Sequence, residues 1–176
     1  MKRIILLSGK ARSGKDSTAI FLKQKLDGLP LIIHNADYLK YMCMQYLGWD
    51  GSRNETSRKL LQELGTDKIR ATRPMFWIER TCDVIDILQD KYDYFVVADT
   101  RFKNEIWYPK ARFPTPGLVT TVRITRTDYD SDLTPEQKNH YSEIDLDNFE
   151  HDYYIYSKSG LDNLEFEVNR IVDFLK

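Results

Sequence analysis

Seven residues near the start of the chain have the types and spacing to hold a phosphate group. They are Gly9-Lys10-Ala11-Arg12-Ser13-Gly14-Lys15, a G-x-x-x-x-G-K pattern. The glycines let the backbone curl until successive N–H groups point inward, and a following helix adds the positive end of its dipole. Lys15 then reaches the β- and γ-phosphates of a bound nucleotide. Asp16 stands where the common form has Ser or Thr to hold Mg²⁺, and Ser17 comes one residue late. An apolar run, Ile4 to Leu7, precedes the pattern and a helical pattern follows, which is the context the mechanism needs.

Other residues could complete such a site. Asp99 ends an apolar strand pattern, where an acid orients Mg²⁺ directly or through water; the bland alternative is a cap on the next helix. Asp37 could face an acceptor, contact metal or only cap the helix that begins at Tyr38, and Lys40 could meet phosphate or stay solvated. Arginine matches phosphate with a fork of donors. Arg12 lies in the loop, Arg70 in the middle segment, Arg101 just after Asp99, and Arg126 at the end of a strand. Arg70, Arg101 and Arg126 are favoured as functional, whereas Arg123 reads as structural. Trp77 could stack on a base or join the core, and Phe76 reads as core. His140, Ser142 and Glu143 occur together but form no hydrolase triad, and three scattered histidines make no zinc site.

The elements that must position these residues follow from periodicity. Strands read at Lys2 to Ser8, Leu31 to Ile33, Tyr94 to Asp99, Leu118 to Ile124 and Tyr153 to Tyr156. Helices read at Gly14 to Leu26, with Ala19, Ile20, Leu22 and Leu26 inward, at Tyr38 to Leu47, Thr56 to Ala71 and Met75 to Gln89. Gly48 to Asn54 is a loop. Gly65-Thr66-Asp67 interrupts the third helix and suggests a bend or a close ligand approach. Phe102 to Lys110 reads as a helix or turn ended by Pro109. Thr127 to Asn148 is an acidic surface excursion, and Leu161 to Leu175 is a closing amphipathic helix. The alternation predicts an α/β domain with a five-stranded, mostly parallel sheet covered on both faces. Ligands of such sheets bind at the carboxyl ends of the strands, which gathers the loop, Asp37, Asp99 and Arg126 on one edge.

Composition sets limits. The 176 residues suffice for one domain. With 26 basic and 27 acidic residues the net charge is −1, so nothing marks a general polyanion binder and nucleic acid is not the expected partner. Cys43 and Cys82 make no disulfide framework and read as buried thiols in a reducing, cytoplasmic setting. The apolar start is too short for a signal peptide or a membrane span.

Taken together, five blocks carry a family resemblance. These are Ser8-Gly9-Lys10-Ala11-Arg12-Ser13-Gly14-Lys15-Asp16-Ser17, Ala36-Asp37-Tyr38-Leu39-Lys40, Leu61 to Arg70 followed by Phe76-Trp77, Asp99-Thr100-Arg101-Phe102-Lys103-Asn104-Glu105, and His140-Tyr141-Ser142-Glu143. In this order and over nearly the whole chain, the sequence resembles the bacteriophage deoxynucleoside monophosphate kinases of the P-loop kinase superfamily, in which Asp after the loop lysine is normal. The resemblance implies a three-layer α/β/α P-loop kinase. It also implies a helical acceptor-binding region over 38–90 and a short lid over 127–142, with Arg126 and Lys138 as its cations. It places ATP on Gly9 to Ser17, with Mg²⁺ at Ser17 and Asp99 (partly via water), and a nucleoside monophosphate near Asp37, Lys40, Arg70, Trp77 and Arg101.

The expected reaction is γ-phosphoryl transfer from ATP to a (deoxy)nucleoside monophosphate, with Lys15, Asp99, Arg101 and Arg126 as the catalytic set. A homodimer is compatible with the sequence. Two other readings are open: a kinase of a hydroxymethylated base within phage DNA, which needs a general base such as Asp37 or Asp99, and a nucleotide-binding module without transfer.

Overall fold

The computed structural model describes residues 1–52, 54–129 and 133–176. Position 53 of the loop read over 48–54, and positions 130–132 of the lid read over 127–142, lie outside the described residues.

Continuous apolar runs form the middle of the sheet. The strands are β1 (Arg3–Ser8), β2 (Pro30–Ile33), β3 (Tyr94–Thr100), β4 (Val119–Arg126) and β5 (Tyr153–Ser157). They lie in the order β2-β3-β1-β4-β5, and every neighbouring pair is parallel. Successive side chains of a strand point to opposite faces, and two cores result. Ile5, Leu7, Val96, Val122 and Ile155 pack against α1 (Lys15–Lys25) and α8 (Leu161–Leu175). Ile4, Leu6, Phe95 and Val97 pack against α4 (Phe76–Leu88) and α5 (Asn104–Arg112). This is the three-layer α/β/α sandwich, and burying each such side chain contributes about 1.5–3 kcal/mol. Leu164, Val168, Ile171, Val172 and Leu175 form the buried stripe of α8. Cys43 and Cys82 are free and buried.

Three local readings need correction. Ile20 is 51% exposed, because the buried face of α1 runs through Lys15, Thr18, Ala19 and Leu22 and leaves position 20 outside it. Pro109 does not end its helix. It sits inside α5, where its missing N–H removes one bond, toward residue 105, while Phe113 N–H still closes the last turn on the Pro109 carbonyl (2.9 Å). The third correction concerns Gly65. The helix α3 (Glu55–Gln62) gives way to a π-helical stretch, Glu63–Arg70. The wider turn presses Gly65 onto α2 (Asp37–Tyr46), where a Cβ at Gly65 would lie 2.5 Å from Leu39 Cδ2. The Gly65 carbonyl also accepts the indole Nε1–H of Trp77 at 2.9 Å. One close approach at Gly65 is therefore to a neighbouring helix, and Gly65 also lines a cleft. Leu39, Cys43 and Trp77, with Leu60, Leu61, Leu64, Ile69 and Phe76 around them, make a third core that holds the helices from α2 to α4 together.

Gly65→Ala is expected to destabilise the chain by about 1–3 kcal/mol through overpacking. Leu39→Ala alone costs about 2–5 kcal/mol. In the double variant the two losses should fall short of their sum, because each relieves the clash or the void left by the other. Urea unfolding of the four proteins measures this, and strict additivity would exclude the Gly65–Leu39 contact.

Candidate active site

The loop after β1 owes its shape to three residues with positive φ. A Cβ on Gly9 (φ 153°) would lie 2.5 Å from the Ile124 carbonyl, a backbone atom that cannot yield. Arg12 (φ 60°) and Gly14 (φ 100°) then turn the chain into α1. Beneath the loop, the Ser8 hydroxyl meets His151 Nε2 at 2.7 Å, and His151 Nδ1 meets the Phe149 carbonyl at 2.9 Å. The carbonyl can only accept, so Nδ1 carries the hydrogen and Nε2 accepts from Ser8. Burial keeps this ring neutral, with its pKa pushed down to about 4. On the flank, Asp147 binds both Lys10 (3.1 Å) and Arg123 (2.8 Å).

Lys15 is 8% exposed, and its Nζ donates to the carbonyls of Gly9 and Lys10, both at 2.8 Å. Burial lowers its pKa to about 8, and Arg101 pushes the same way against the carboxylates of Glu143, Asp16 and Asp99. These four side chains therefore share one electrostatic neighbourhood with the ammonium. Ser17 lies in the first turn of α1.

At the neighbouring strand ends, backbone N–H groups take carboxylates. Asp99 accepts from the amides of Asn35 (2.7 Å) and Ala36 (3.2 Å), which ties β3 to the turn before α2. Asp37 accepts from the His34 amide at 2.8 Å. The His34 ring stands between Asp16 (3.6 Å) and Asp37 (3.5 Å), and Lys40 approaches Asp37 at 3.7 Å. Asp16 and then Asp37 raise the His34 pKa to about 9.

Two clefts open on either side of the loop. The larger, about 530 Å³, is lined by Ala11, Asn35, Asp99, Arg70, Trp77 and Arg101, with other residues of the helical region and the 133–143 segment. Arg70 is fixed there: it bonds Glu105 at 2.8 Å and lies 3.9 Å over the Phe102 ring. Glu105 is itself buried and also accepts from the amides of Arg101 (2.8 Å) and Phe102 (3.2 Å). Trp77 is 3% exposed, packed edge-on to Phe76 within the third core. The smaller cleft, about 250 Å³, is lined by Lys10, Ala11, Ser13, Arg123, Arg126, Tyr129 and Lys138. Arg126 there bonds Ser159 at 2.8 Å and lies 4.8 Å from the Tyr129 ring centre. Ala11 and Glu143 line both clefts.

Of the residues named from the sequence, Ala11 of the loop, Asp99, Arg70, Trp77 and Arg101 meet around the larger cleft, while Lys10, Ala11, Ser13 and Arg126 line the smaller one; Arg12, Lys15 and Ser17 line neither. Asp37 and Lys40 line neither cleft and gather with His34 and Asp16. Sequence reasoning missed Asn35, whose side chain is 4% exposed in the larger cleft with Nδ2 unpartnered. Its signal was its place at the carboxyl end of β2. It also missed His34 and left Glu143 without a role. Among the described residues no three His, Cys, Asp or Glu side chains converge as a metal site, and no helix is long and apolar enough to cross a membrane.

Comparison with known proteins adds a lineage. Residues 33–168 match the family model described as deoxynucleotide monophosphate kinase. A search of curated proteins found no match. Solved structures share the fold at low identity. The Deinococcus radiodurans tunicamycin resistance protein matches at 16% identity and TM-score 0.59, covering 99% of this chain and 96% of its own. A shikimate kinase from Bacteroides thetaiotaomicron gives 13%, 0.55, 98% and 98%, and the Mycobacterium tuberculosis APS kinase 13%, 0.54, 99% and 96%.

The His34 cluster gives a direct test. A pKa raised from 6.5 to about 9 means that the charged ring contributes stability fully below pH 6.5 and loses it as pH rises through about 9. NMR titration should find the His34 ring still protonated at pH 7.5, and Asp16→Asn should move its midpoint down toward 6.5. A midpoint near 6.5 in the unaltered chain would exclude the cluster.

Proposed function

The chain belongs to the deoxynucleotide monophosphate kinase family, and from that premise we propose that it moves the γ-phosphoryl group of ATP to a deoxynucleoside monophosphate, giving the diphosphate. The observation that carries this reading is the pair of clefts flanking one phosphate-binding loop, with Arg70 and Arg101 on the larger side and Arg126 and Lys138 on the smaller. Two cavities on one loop suit two phosphorylated substrates meeting end to end.

In this reading the loop from Gly9 to Ser17 holds the ATP phosphates in the smaller cleft, and Lys15 leaves the Gly9 and Lys10 carbonyls to meet them. The acceptor lies in the larger cleft, walled by the 38–90 helical region, with Asn35 and Arg70 toward it and Arg101 toward its phosphate. Asp37 and Lys40 stand at its margin. The described residues of the 127–142 segment that line the clefts, among them Tyr129, Leu133, Gln137 and Lys138, would close over both as a lid. An acceptor phosphate, with a second pKa near 6, is already a dianion and attacks without a general base. Its oxygen bonds to Pγ while the bond from Pγ to the β,γ-bridging oxygen breaks, and ADP leaves. The protein contributes alignment and positive charge. Ser17 and Asp99 supply hard oxygen donors, and each Asp99 oxygen accepts only one amide and keeps a lone pair, so the set fits Mg²⁺. When bound, that ion would neutralise charge on the phosphate oxygens.

Purified protein offered ATP, Mg²⁺ and each common deoxynucleoside monophosphate should consume at least one of them, and no consumption across the panel would reject the acceptor class. Lys15→Met should lower turnover by at least about 10²-fold, comparable to loss of one key electrostatic donor, with the unfolding midpoint retained. Because the free ammonium titrates near 8 and phosphates favour its charged form, affinity for a non-hydrolysable ATP analogue should fall as pH rises above about 8. That dependence should vanish in Lys15→Met, and a flat profile in the unaltered chain would exclude charge on Lys15 as the source of binding.

A further inference from the structure

Glu143 belongs to the His-x-Ser-Glu block that the reading above leaves without a task. It lies on α7 (Tyr141–Ile144), a single helical turn that follows α6 (Pro135–Lys138) and is begun by the His140 side chain, which accepts from the Ser142 amide. That turn is docked from below: Asp145 accepts the Lys103 amide at 2.8 Å, and the Tyr141 ring lies 5.5 Å from that of Phe102. The docking drives the Glu143 carboxylate, 8% exposed, into the partition between the two clefts. One oxygen accepts the Ala11 amide of the phosphate loop at 2.8 Å, and the other is paired with the Arg101 guanidinium. Its charge also acts on Lys15.

A loop amide, an arginine fork and a lysine are donors suited to a phosphoryl group. In the free chain a carboxylate takes two of them. Each of its oxygens faces a different substrate: Ala11 belongs to the loop, and Arg101 faces the acceptor cleft. We propose that Glu143 couples the two binding events, acting as an internal anion that either substrate's phosphate must displace. The inference rests on the function proposed above. Release needs only rotation of the Glu143 side chain, because α7 is held by Asp145 and Tyr141 independently of it. Whichever phosphate arrives first bears the cost of breaking both contacts. The second then finds its donor already free and binds more tightly, and linkage makes the effect mutual. Glu143 acts through Ala11 and Arg101, so it is a positioning residue.

The decisive variant is Glu143→Gln, which keeps the shape and removes the charge, with Glu143→Ala as a second variant should the first fold poorly by thermal melting. Calorimetry with tripolyphosphate alone, without acceptor, should show about tenfold tighter binding to either variant than to the unaltered chain, within the range usual for coupled sites. In the unaltered chain, saturating deoxynucleoside monophosphate should tighten binding of a β,γ-imido ATP analogue by a similar factor. In Glu143→Gln the two should bind independently, a change that loss of a merely structural contact would not produce. A measurement needing no variant follows the Ala11 amide by NMR, whose resonance should move when tripolyphosphate displaces the carboxylate.

Unchanged or weaker tripolyphosphate binding in both variants, coupling that persists, or an Ala11 resonance indifferent to the probe would overturn the proposal. If the variants bind more tightly but no monophosphate is consumed, the acceptor assignment and the coupling fail, and only the occupation of the loop amide by Glu143 stands. If monophosphates are consumed normally and the variants gain nothing, the latch alone fails. If neither protein binds tripolyphosphate, both fall.

Discussion

The functional edge of this molecule is built on carboxylates seated on backbone N–H groups. A turn that leaves a strand and enters a helix exposes amides with no partner in either element. Here acidic side chains fill them, some from the same turn and some from distant parts of the chain. Asp99 takes those of Asn35 and Ala36, Glu105 those of Arg101 and Phe102, Asp145 that of Lys103, and Asp37 that of His34. The Asp99 and Asp145 contacts each tie two neighbouring connections together, whereas Glu105 and Asp37 close their own turns. Removing Asp99 or Asp145 would free an amide and loosen two connections at once, so these strand ends are braced against each other.

The same bracing sets the charge of the site. Glu105 is consumed by its amides and by Arg70, which fixes that guanidinium over Phe102 and leaves it little freedom. Asp147 similarly anchors Lys10 and Arg123. The buried Lys15 is a different case. Its contacts with carbonyls give it hydrogen bonds but no full counter-charge, and burial lowers its pKa to about 8. An ammonium held in that condition gains from an incoming polyanion more than a solvated lysine does, because most of its desolvation has already occurred.

The sequence made the central parts of the fold legible because their causes are local. Ile4 to Leu7 and Phe95 to Ala98 are unbroken apolar runs, and only strands buried on both faces need them. The loop was legible for a like reason: Gly9 and Gly14 stand where the backbone turns through positive φ, and Lys15 follows at the required spacing. Gly65 was visible as an irregularity, but its cause was not, since the contact that demands a bare Cα comes from Leu39 on another helix. Pro109 does not stop its helix because buried Ile106 and Phe113 on either side keep the helix in place, a contact no local pattern shows.

What stayed hidden was pairing between distant residues. The Ala11 amide and the Glu143 carboxylate are 132 residues apart, and the Arg70–Glu105 pair is separated by 35. No periodicity links such positions; only the strand order β2-β3-β1-β4-β5 brings them to one edge. His34 shows the consequence most clearly. Alone it is an ordinary residue at a strand end, yet parallel packing sets β2 one strand away from the loop strand, across β3, and delivers the ring between Asp16 and Asp37. Asp16, which departs from the common loop pattern, thereby gains a partner outside the loop. The departure reads as a structural tie between the start of α1 and the end of β2.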